Sequence, residues 1–253
     1  MDIVIIGSGN VASVLGRKFR GAGHKILQVY SRNASAASKL AYEWDTDSTN
    51  YISLINKSAD LYLIAVPDNA ITTLAAELRF PGKIVVHTAA SVPKEILATI
   101  SAQYGVFYPL QSLTKEMNLL PDIPIFFEGS DDMTRKKLED LARSISPENI
   151  SEADGEERLK LHVAAVVVNN FVNHLYILAE EYCKREGLDF RQLIPLINET
   201  AFKVKEKSPS QCQTGPAIRH DSDTIHKHLE LLKNHPRLKN IYILITESIQ
   251  QLK

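Results

Sequence analysis

The sequence predicts an α/β protein with a doubly wound parallel sheet in its first part and an all-α domain in its second part. A glycine-rich turn at residues 7–12 follows an apolar run of strand length at residues 2–6. Similar apolar runs then alternate with helical stretches, an order that implies parallel pairing and right-handed crossovers. Beyond about residue 153 only helical patterns remain.

The glycine-rich turn has the pattern G-x-G-x-x-A and opens a predicted helix at residues 11–20. A strand, a glycine turn and a helix in this order are typical of a Rossmann-type dinucleotide site. Gly7 permits the tight turn, Gly9 leaves room for a pyrophosphate, and Ala12 lets the helix pack closely, while N–H groups at the helix start face the phosphates. The alternative is a glycine turn that serves packing alone. The predicted cofactor-binding residues here are Gly7, Ser8, Gly9, Asn10 and Val11.

Further alternation of strands and helices continues to about residue 145. Strands are expected at residues 25–30, 60–66, 83–87, 105–108 and 124–127, and helices at residues 34–43, 69–78 and 133–144. Because a ligand of an open parallel sheet lies at the carboxyl ends of its strands, the residues just after each strand are candidate site residues.

The residues that follow the second strand indicate which dinucleotide is bound. NAD-selective sites usually carry an acidic side chain there, which accepts a hydrogen bond from the ribose 2′-hydroxyl. This chain has Ser31 and Arg32 instead. A guanidinium can pair with a 2′-phosphate through two N–H groups, so the pattern favours NADP over NAD. The alternative is a surface arginine that lies near the strand end by chance.

The ends of the later strands supply candidates for the nicotinamide side of the site. Val66 ends one strand and is followed by Pro67 and Asp68, and we assign all three to cofactor binding. His87 and Tyr108 lie at the ends of the next two strands. Asp68 has an alternative role as a helix N-cap, and His87 has one as a hydrogen-bonded histidine of the core.

Composition argues against several classes of partner. The 29 basic and 30 acidic side chains nearly cancel, so there is no basic excess to attract nucleic acid or anionic lipid. Cys183 and Cys212 fit neither a disulfide framework nor a metal site, and we expect a reduced, cytoplasmic protein without a metal. The longest apolar run, residues 163–168, is too short to span a bilayer, so no membrane association is expected.

The second half begins near residue 146, where two polar stretches at residues 146–149 and 154–157 are interpreted as a linker or hinge. The predicted domains are residues 1–152 and residues 153–253. After a first long helix at residues 156–185, further helices are expected at residues 189–207, 223–233 and 236–252, with a disturbance at Pro195.

The first long helix is apolar on nearly all sides in its middle, so we expect it to be a buried central helix. Polar residues interrupt it. At about 100° per residue, His162, Asn169 and Asn173 fall within roughly 40° of one another. Asn170 lies about 80° from His162 on the same count. This polar stripe either bonds within the core or faces the nicotinamide and binds a substrate oxygen.

A dense polar group lies before the last two helices, where Gly215 and Pro216 force a turn ahead of Arg219, His220 and Asp221. Arg219 is suited to hold a carboxylate or phosphate of a substrate. The alternative is a structural ion pair between Arg219 and Asp221.

The chain resembles bacterial Rossmann-like proteins with a C-terminal helical domain of unknown function. They are described as deazaflavin-dependent NADP oxidoreductase-like and lie near the 6-phosphogluconate dehydrogenase superfamily. The resemblance covers essentially the whole chain and is most specific in the Gly-Pro to Arg-Asp segment. Its marks are residues 7–12, 30–32, 65–68, 87–91, 108–111, 162–165 with Asn170, and 214–221. The resemblance implies NADP binding, a separate helical domain for substrate binding and dimerisation, and a homodimer.

In the wider superfamily the long interdomain helix carries a lysine and an asparagine that act on the substrate oxygen. This chain has His162 where the lysine is expected, and it lacks the glycine-rich turn before that helix. Asn170 matches the family position, whereas Asn169 fits the stripe. We therefore predict His162, Asn170 and Arg219 as catalytic residues, with Asn169 as an open alternative to Asn170.

These observations predict an NADP-dependent oxidoreductase that transfers hydride between the nicotinamide and a small carbonyl or imine substrate. His162 would act as the general acid and Asn170 would orient the reacting atom. Arg219 would anchor an acidic group of the substrate. One alternative is a non-catalytic protein that binds NADP(H) and reports redox state to a partner. Another is a different nucleotide ligand such as S-adenosylmethionine, which has no 2′-phosphate for Arg32.

Overall fold

The computed structural model describes residues 1–117 and 120–252. The chain divides into two compact units, a first unit of Met1–Val166 and a second unit of Val167–Lys253. These units reflect packing alone, so the predicted division of roles at residue 152 stays a prediction.

The first unit contains one sheet, and its described residues form eight strands in the order β3-β2-β1-β4-β5-β6-β7-β8. The strands are β1 (Asp2–Ile6), β2 (Lys25–Tyr30), β3 (Asp47–Thr49), β4 (Leu61–Ile64), β5 (Ile84–His87), β6 (Gln103–Pro109), β7 (Ile125–Gly129) and β8 (Ile150–Glu152). The first six pair in parallel, β7 is antiparallel to β6, and β8 is parallel to β7. The predicted doubly wound, Rossmann-type sheet is confirmed, with an antiparallel step at β7 that the sequence did not predict.

The helices of the first unit flank this sheet. They are α1 (Asn10–Gly21), α2 (Ala34–Trp44), α3 (Asp68–Glu77), α4 (Asp132–Ile145) and α5 (Gly155–Ala165). Asn33 caps α2 and Asp131 caps α4, each accepting a hydrogen bond from a backbone N–H of the first turn. Gly16 brings α1 against α2, because a Cβ at this position would lie 2.3 Å from the ring of Trp44.

The polar stretches at residues 146–149 and 154–157 flank a strand of the sheet, so the interpretation of this region as a linker is wrong. Ile150–Glu152 forms β8, the edge strand next to β7. Asp154 and Glu157 then form a capping box, in which each side chain accepts from the other's backbone N–H. The segment looks polar because an edge strand and a helix start both face water.

A continuous helix runs over Gly155–Arg185 and contains α5, a π-helical segment at Val166–Phe171, and α6 (Val172–Arg185). The prediction that it is buried within this chain is wrong, since only 6% of its apolar window is buried. Val168 is 71% exposed and Phe171 is 59% exposed. Apolar composition predicts that a surface is covered, but it does not say that the same chain covers it. By length and composition alone this helix could also cross a membrane.

The described residues of the second unit form helices joined by loops and no strand, as predicted. After α6 come α7 (Ile194–Glu206), the short α8 (Pro209–Cys212), α9 (Ser222–Leu231) and α10 (Pro236–Gln250). Pro195 does not disturb a helix interior, because Phe190–Leu193 is a separate 3₁₀ turn and Pro195 lies in the first turn of α7. That position tolerates proline since its N–H would have no partner within the helix.

Candidate functional site

A cavity of about 600 Å³ lies in the first unit at the carboxyl ends of β1, β2 and β4. Seven of the ten predicted cofactor-binding residues line it, namely Gly7, Ser8, Gly9, Ser31, Arg32, Val66 and Pro67. This is the edge of the sheet at which an open α/β fold binds its ligand.

The two glycines of the turn, Gly7 and Gly9, have different structural roles in this cavity. Gly7 has a φ of +130°, and a Cβ there would lie 2.0 Å from the carbonyl oxygen of Ala65. Gly7 therefore closes β1 against the end of β4. A Cβ at Gly9 would meet no atom within 4 Å, which leaves the backbone open to an incoming phosphate. The residues present thus fit a dinucleotide pyrophosphate.

The start of α1 offers free donors to such a phosphate. Its N-cap, Gly9, makes no side-chain hydrogen bond, and the first turn carries no acidic residue. The N–H groups and the helix dipole therefore favour an anion. Asn10 and Val11 lie in this turn but do not line the cavity. The Asn10 side chain instead accepts a hydrogen bond from the Lys115 N–H at 3.4 Å.

The loop after β2 is ordered by hydroxyl contacts. Ser8 Oγ donates to Ser31 Oγ at 2.8 Å, and Ser31 Oγ accepts from the Asn33 N–H at 3.2 Å. Arg32 is exposed at the cavity wall. Across residues 1–117 and 120–252 its guanidinium makes no ion pair, so it is available to a 2′-phosphate.

One face of α3 forms a further wall of the cavity that the sequence analysis did not identify. Asn69, Thr73 and Glu77 line it at four-residue intervals. Burial raises the pKa of Tyr30, and the nearby charge of Glu77 raises it further. The four-residue repeat of polar side chains on a predicted helix was the available signal for this wall.

A larger cavity of about 930 Å³ lies at the other edge of the sheet. It is lined by Lys25 and Asp47, which begin β2 and β3, together with residues such as Arg20. Ligands of doubly wound sheets bind at the carboxyl ends of strands, so we do not place the nucleotide site there.

Asp68 and Ser91 meet beyond the ends of β4 and β5. The Ser91 hydroxyl donates to the Asp68 carboxylate at 2.5 Å. Asp68 is the first residue of α3 and the N-cap position belongs to Pro67, so the alternative role of Asp68 as the N-cap is wrong. Asp68 does not line the cavity of about 600 Å³.

His87 is a core histidine, as the alternative reading of it proposed. It is fully buried at the end of β5, and its Nδ1 accepts a hydrogen bond from the Ala89 N–H at 3.2 Å. Burial lowers the pKa of His87 to about 4. The imidazole is therefore uncharged at neutral pH.

Tyr108 and His162 form a hydrogen-bonded pair at the end of β6. The Tyr108 hydroxyl lies 3.0 Å from His162 Nδ1, and the two rings meet edge to face. Burial raises the pKa of Tyr108, and the charge of Asp68 adds to this effect. The pair places two proton-carrying groups at the carboxyl edge of the sheet.

A buried ion pair fixes the helix that carries His162. Arg158 is fully buried, pairs with Glu128 on β7 and donates to the Ala153 carbonyl at 3.0 Å. Lys94 also pairs with Glu128. Because His162 follows Arg158 by four residues in α5, both side chains lie on one face of the helix.

The polar stripe does not form with the predicted angles. Asn169 and Asn170 lie within the π-helical segment, where hydrogen bonds span five residues instead of four. A count at 100° per residue fails across such a segment. Asn169, Asn170 and Asn173 are all exposed in the single chain, so they are not core amides. The choice between Asn169 and Asn170 stays open.

Arg219 is exposed in the loop before α9. The structural ion pair with Asp221 does not form, since Asp221 instead caps α9 by accepting from Thr224 N–H and its hydroxyl. These hydrogen bonds lower the pKa of Asp221, with a smaller contribution from Arg219. His220, between them, has a φ of +53°.

The comparisons with known proteins agree with this architecture. Residues 2–91 match the family described as NADP oxidoreductase, coenzyme F420-dependent, and residues 123–249 match the Domain of unknown function (DUF2520). The chain belongs to the DUF2520 family. A Bacteroides fragilis protein provisionally named an NADP oxidoreductase shares 38% identity with this member, with a TM-score of 0.91 over 99% of this chain and 98% of that one.

Two more distant structures share the fold of this DUF2520 member. A 1-pyrroline-5-carboxylate reductase from Streptococcus pyogenes is 15% identical, with a TM-score of 0.64 over 100% of this chain and 99% of that one. A reductive aminase from Aspergillus terreus, solved with NADPH and ethyl-5-oxohexanoate, is 15% identical, with a TM-score of 0.65 over 98% of this chain and 90% of that one. No curated protein matched the chain.

The family assignment confirms the predicted resemblance and supports a nicotinamide cofactor. The roles predicted for individual site residues stay predictions.

Proposed function

We propose that this protein is an NADP-dependent oxidoreductase that reduces a small carbonyl or imine compound, or oxidises the corresponding alcohol or amine. The observation that carries the proposal is the unpaired guanidinium of Arg32 beside the open backbone of Gly9, in one cavity. A pyrophosphate and a 2′-phosphate on one ligand would occupy both. The cofactor would supply the hydride, and the protein would supply position and charge.

Titration of the unliganded protein with NADPH, NADH, reduced deazaflavin and S-adenosylmethionine tests this cofactor assignment. Calorimetry should detect NADPH binding that is at least ten-fold tighter than binding of the other three. Arg32→Ser should weaken NADPH binding roughly 10- to 100-fold, the effect of about 1.5–3 kcal/mol for a hydrogen bond to a charged group. NADH binding should change less than about two-fold.

The exposed Arg20, at the other edge of the sheet, provides the matched control. Arg20→Ser removes an equal charge and should leave NADPH affinity unchanged. Equal losses of NADPH affinity in Arg32→Ser and Arg20→Ser would mean that net charge, and not a 2′-phosphate contact, sets the affinity for NADPH.

The predicted catalytic roles enter as part of the same proposal. His162 supplies the proton, Asn170 orients the reacting atom, and Arg219 holds an acidic group of the substrate. Turnover of NADPH with small keto acids, imino acids and aldehydes tests them, since Arg219→Ala should raise KM only for acidic substrates. Tight NADPH binding without turnover of any compound would favour the non-catalytic sensor instead.

We also propose that the protein is a cytoplasmic homodimer in which a second copy covers the apolar surface of Gly155–Arg185. A membrane is the other apolar partner that this helix could have. Asn169, Asn170 and Asn173 lie within the helix, and amides are costly in hydrocarbon without partners. A second protein surface can offer them hydrogen bonds, so we favour it.

A further inference from the structure

Tyr108 and His162 are bonded to each other but differ in their access to water. Tyr108 is 8% exposed, whereas His162 is an exposed residue of α5. The 3.0 Å contact joins the Tyr108 hydroxyl to His162 Nδ1 and so leaves the other ring nitrogen of His162 free of this bond. A proton that arrives from water therefore reaches His162 before it reaches Tyr108.

From this order we infer that Tyr108 is the residue that delivers the proton to the substrate, and that His162 resupplies it from water. The inference rests on the proposed reductase function. It refines the role of His162 from a direct acid to the solvent-facing member of a two-residue relay.

The relay conserves protons and electrons. The reduced nicotinamide supplies the hydride that forms the new C–H bond while the C=O π pair moves onto oxygen. The Tyr108 O–H bond breaks as the product O–H bond forms, and the Tyr108 oxygen takes the proton from Nδ1 of His162 while Nε2 of His162 takes a proton from water. The imidazole then carries its proton on Nε2, and exchange of both ring protons with water restores the Nδ1–H form. For an imine, the nitrogen takes the place of the oxygen.

The relay explains why a tyrosine is useful at this position. Burial and the nearby charge of Asp68 keep Tyr108 protonated, and a phenol with a raised pKa is by itself a weak acid. With the Nδ1 proton of His162 behind it, Tyr108 can release its own proton without becoming a phenolate. The proton that is consumed is then drawn from water through the His162 ring.

The surrounding structure holds both members in place. Tyr108 packs with Val106 and Ala90 in a small apolar cluster. His162 follows Arg158 by one helical turn, and Arg158 is fixed by Glu128. Tyr108 therefore has little rotamer freedom and the helix that carries His162 is anchored, which suits proton transfer over a fixed distance.

Three variants test the relay by kinetics. Tyr108→Phe keeps the ring and removes the hydroxyl, and should lower the turnover number at least about 100-fold. His162→Asn keeps a polar group at the Nδ1 position, and should lower it only about ten-fold, because water can slowly resupply Tyr108. Tyr104→Phe, on the same strand, should have no effect. NADPH affinity should stay within about two-fold in all three. A larger loss in His162→Asn than in Tyr108→Phe would overturn the proposal.

A second readout needs neither cofactor nor substrate. In ¹⁵N-histidine-labelled, unliganded protein, His162→Asn identifies the resonances of His162. Tyr108→Phe should shift the Nδ1 resonance, because the ring loses its partner oxygen, whereas Tyr104→Phe should not. An unchanged Nδ1 resonance in Tyr108→Phe would show that the pair does not exist and would overturn the relay.

The two readouts separate this proposal from the proposed function. If the wild-type protein bound no NADPH or reduced no compound, the proposed function would fail, and the relay with it as a catalytic device. The NMR result would still show whether the Tyr108–His162 bond is present. If NADPH were oxidised normally by Tyr108→Phe, the function would stand and the relay alone would fail.

Discussion

The two units of this protein differ in how completely their apolar side chains are buried. In the first unit the central strands are completely covered, and Ile3, Val4 and Leu63 have no exposed surface. Among the described residues of the second unit, the buried apolar side chains are Leu178, Cys183, Ala217 and Leu232. Large apolar side chains there, including Leu196 at 64% and Leu244 at 65%, remain exposed.

The first unit therefore has the core of an independent domain, whereas the second unit leaves large apolar side chains exposed, as the proposed homodimer requires. A sheet covered by helices on both faces removes most of its apolar area from water within one chain. The helices of the second unit leave large apolar side chains such as Val168, Leu196 and Leu244 uncovered, and a contiguous exposed apolar surface is typical of an interaction site. The predictions that follow disturb first one unit and then the other.

The largest expected effect comes from Gly7. Gly7→Ala places a methyl group against the Ala65 carbonyl at a positive φ, and should destabilise the first unit by about 4 kcal/mol or more. Fluorescence of Trp44, the only tryptophan, measures this unit specifically in denaturant unfolding.

Gly9→Ala is the matched control for that variant. Its methyl group meets no atom, so stability should fall by no more than about 1 kcal/mol. NADPH affinity should nevertheless fall at least about ten-fold, since the methyl group occupies the phosphate approach. Equal stability losses in the two variants would contradict the different roles assigned to these glycines.

The next effect concerns the pH dependence of the first unit. The pKa of His87 is about 4 in the folded protein and ordinarily 6.5, so between these values the unfolded chain binds the extra proton. Stability is therefore fully present above pH 6.5 and falls as the pH drops toward 4. The loss is about 3 kcal/mol for this one group.

His87→Asn retains an acceptor for the Ala89 N–H but does not titrate. The free energy of unfolding, followed by Trp44 fluorescence at pH 7 and pH 4.5, should depend less on pH in this variant than in the wild type. If the free energy of unfolding fell equally between pH 7 and pH 4.5 in both proteins, another group would cause the acid sensitivity.

The smallest expected effect concerns the uncovered surface of the second unit. Phe171→Asp should raise the dimer dissociation constant about thirty-fold, equivalent to about 2 kcal/mol, because a charge would replace an aromatic side chain that the proposed interface covers. Sedimentation equilibrium measures this constant. Glu180→Ser, an exposed polar position on the same helix, should leave it unchanged. A monomeric wild-type protein would contradict the homodimer.

The sequence predicted the strand–helix alternation of the first unit closely, because buried strands and amphipathic helices leave clear periodic patterns. It did not identify β3 and β8, which contain three residues each and lie at the sheet edges. Such short edge strands carry too few buried side chains to show a period.

In the candidate site, too, some features could be predicted from the sequence and others could not. Gly7, Gly9 and Arg32 could be predicted because a local motif places them on one turn and one strand end. The partnership of Tyr108 with His162 could not, since 54 residues separate them along the chain. Nor could the exposure of the long helix, because its apolar composition is the same whether its partner is this chain or another.

The sequence by itself therefore determined the order of the elements, the glycine-rich turn and the basic residue beside it. Each of these depends on neighbouring residues and on backbone conformation. Tertiary structure alone decided that Asp221 caps a helix instead of pairing with Arg219, that His87 is neutral, and that a tyrosine stands behind His162. Those outcomes depend on burial and on distances between segments remote in the chain, which local sequence does not encode.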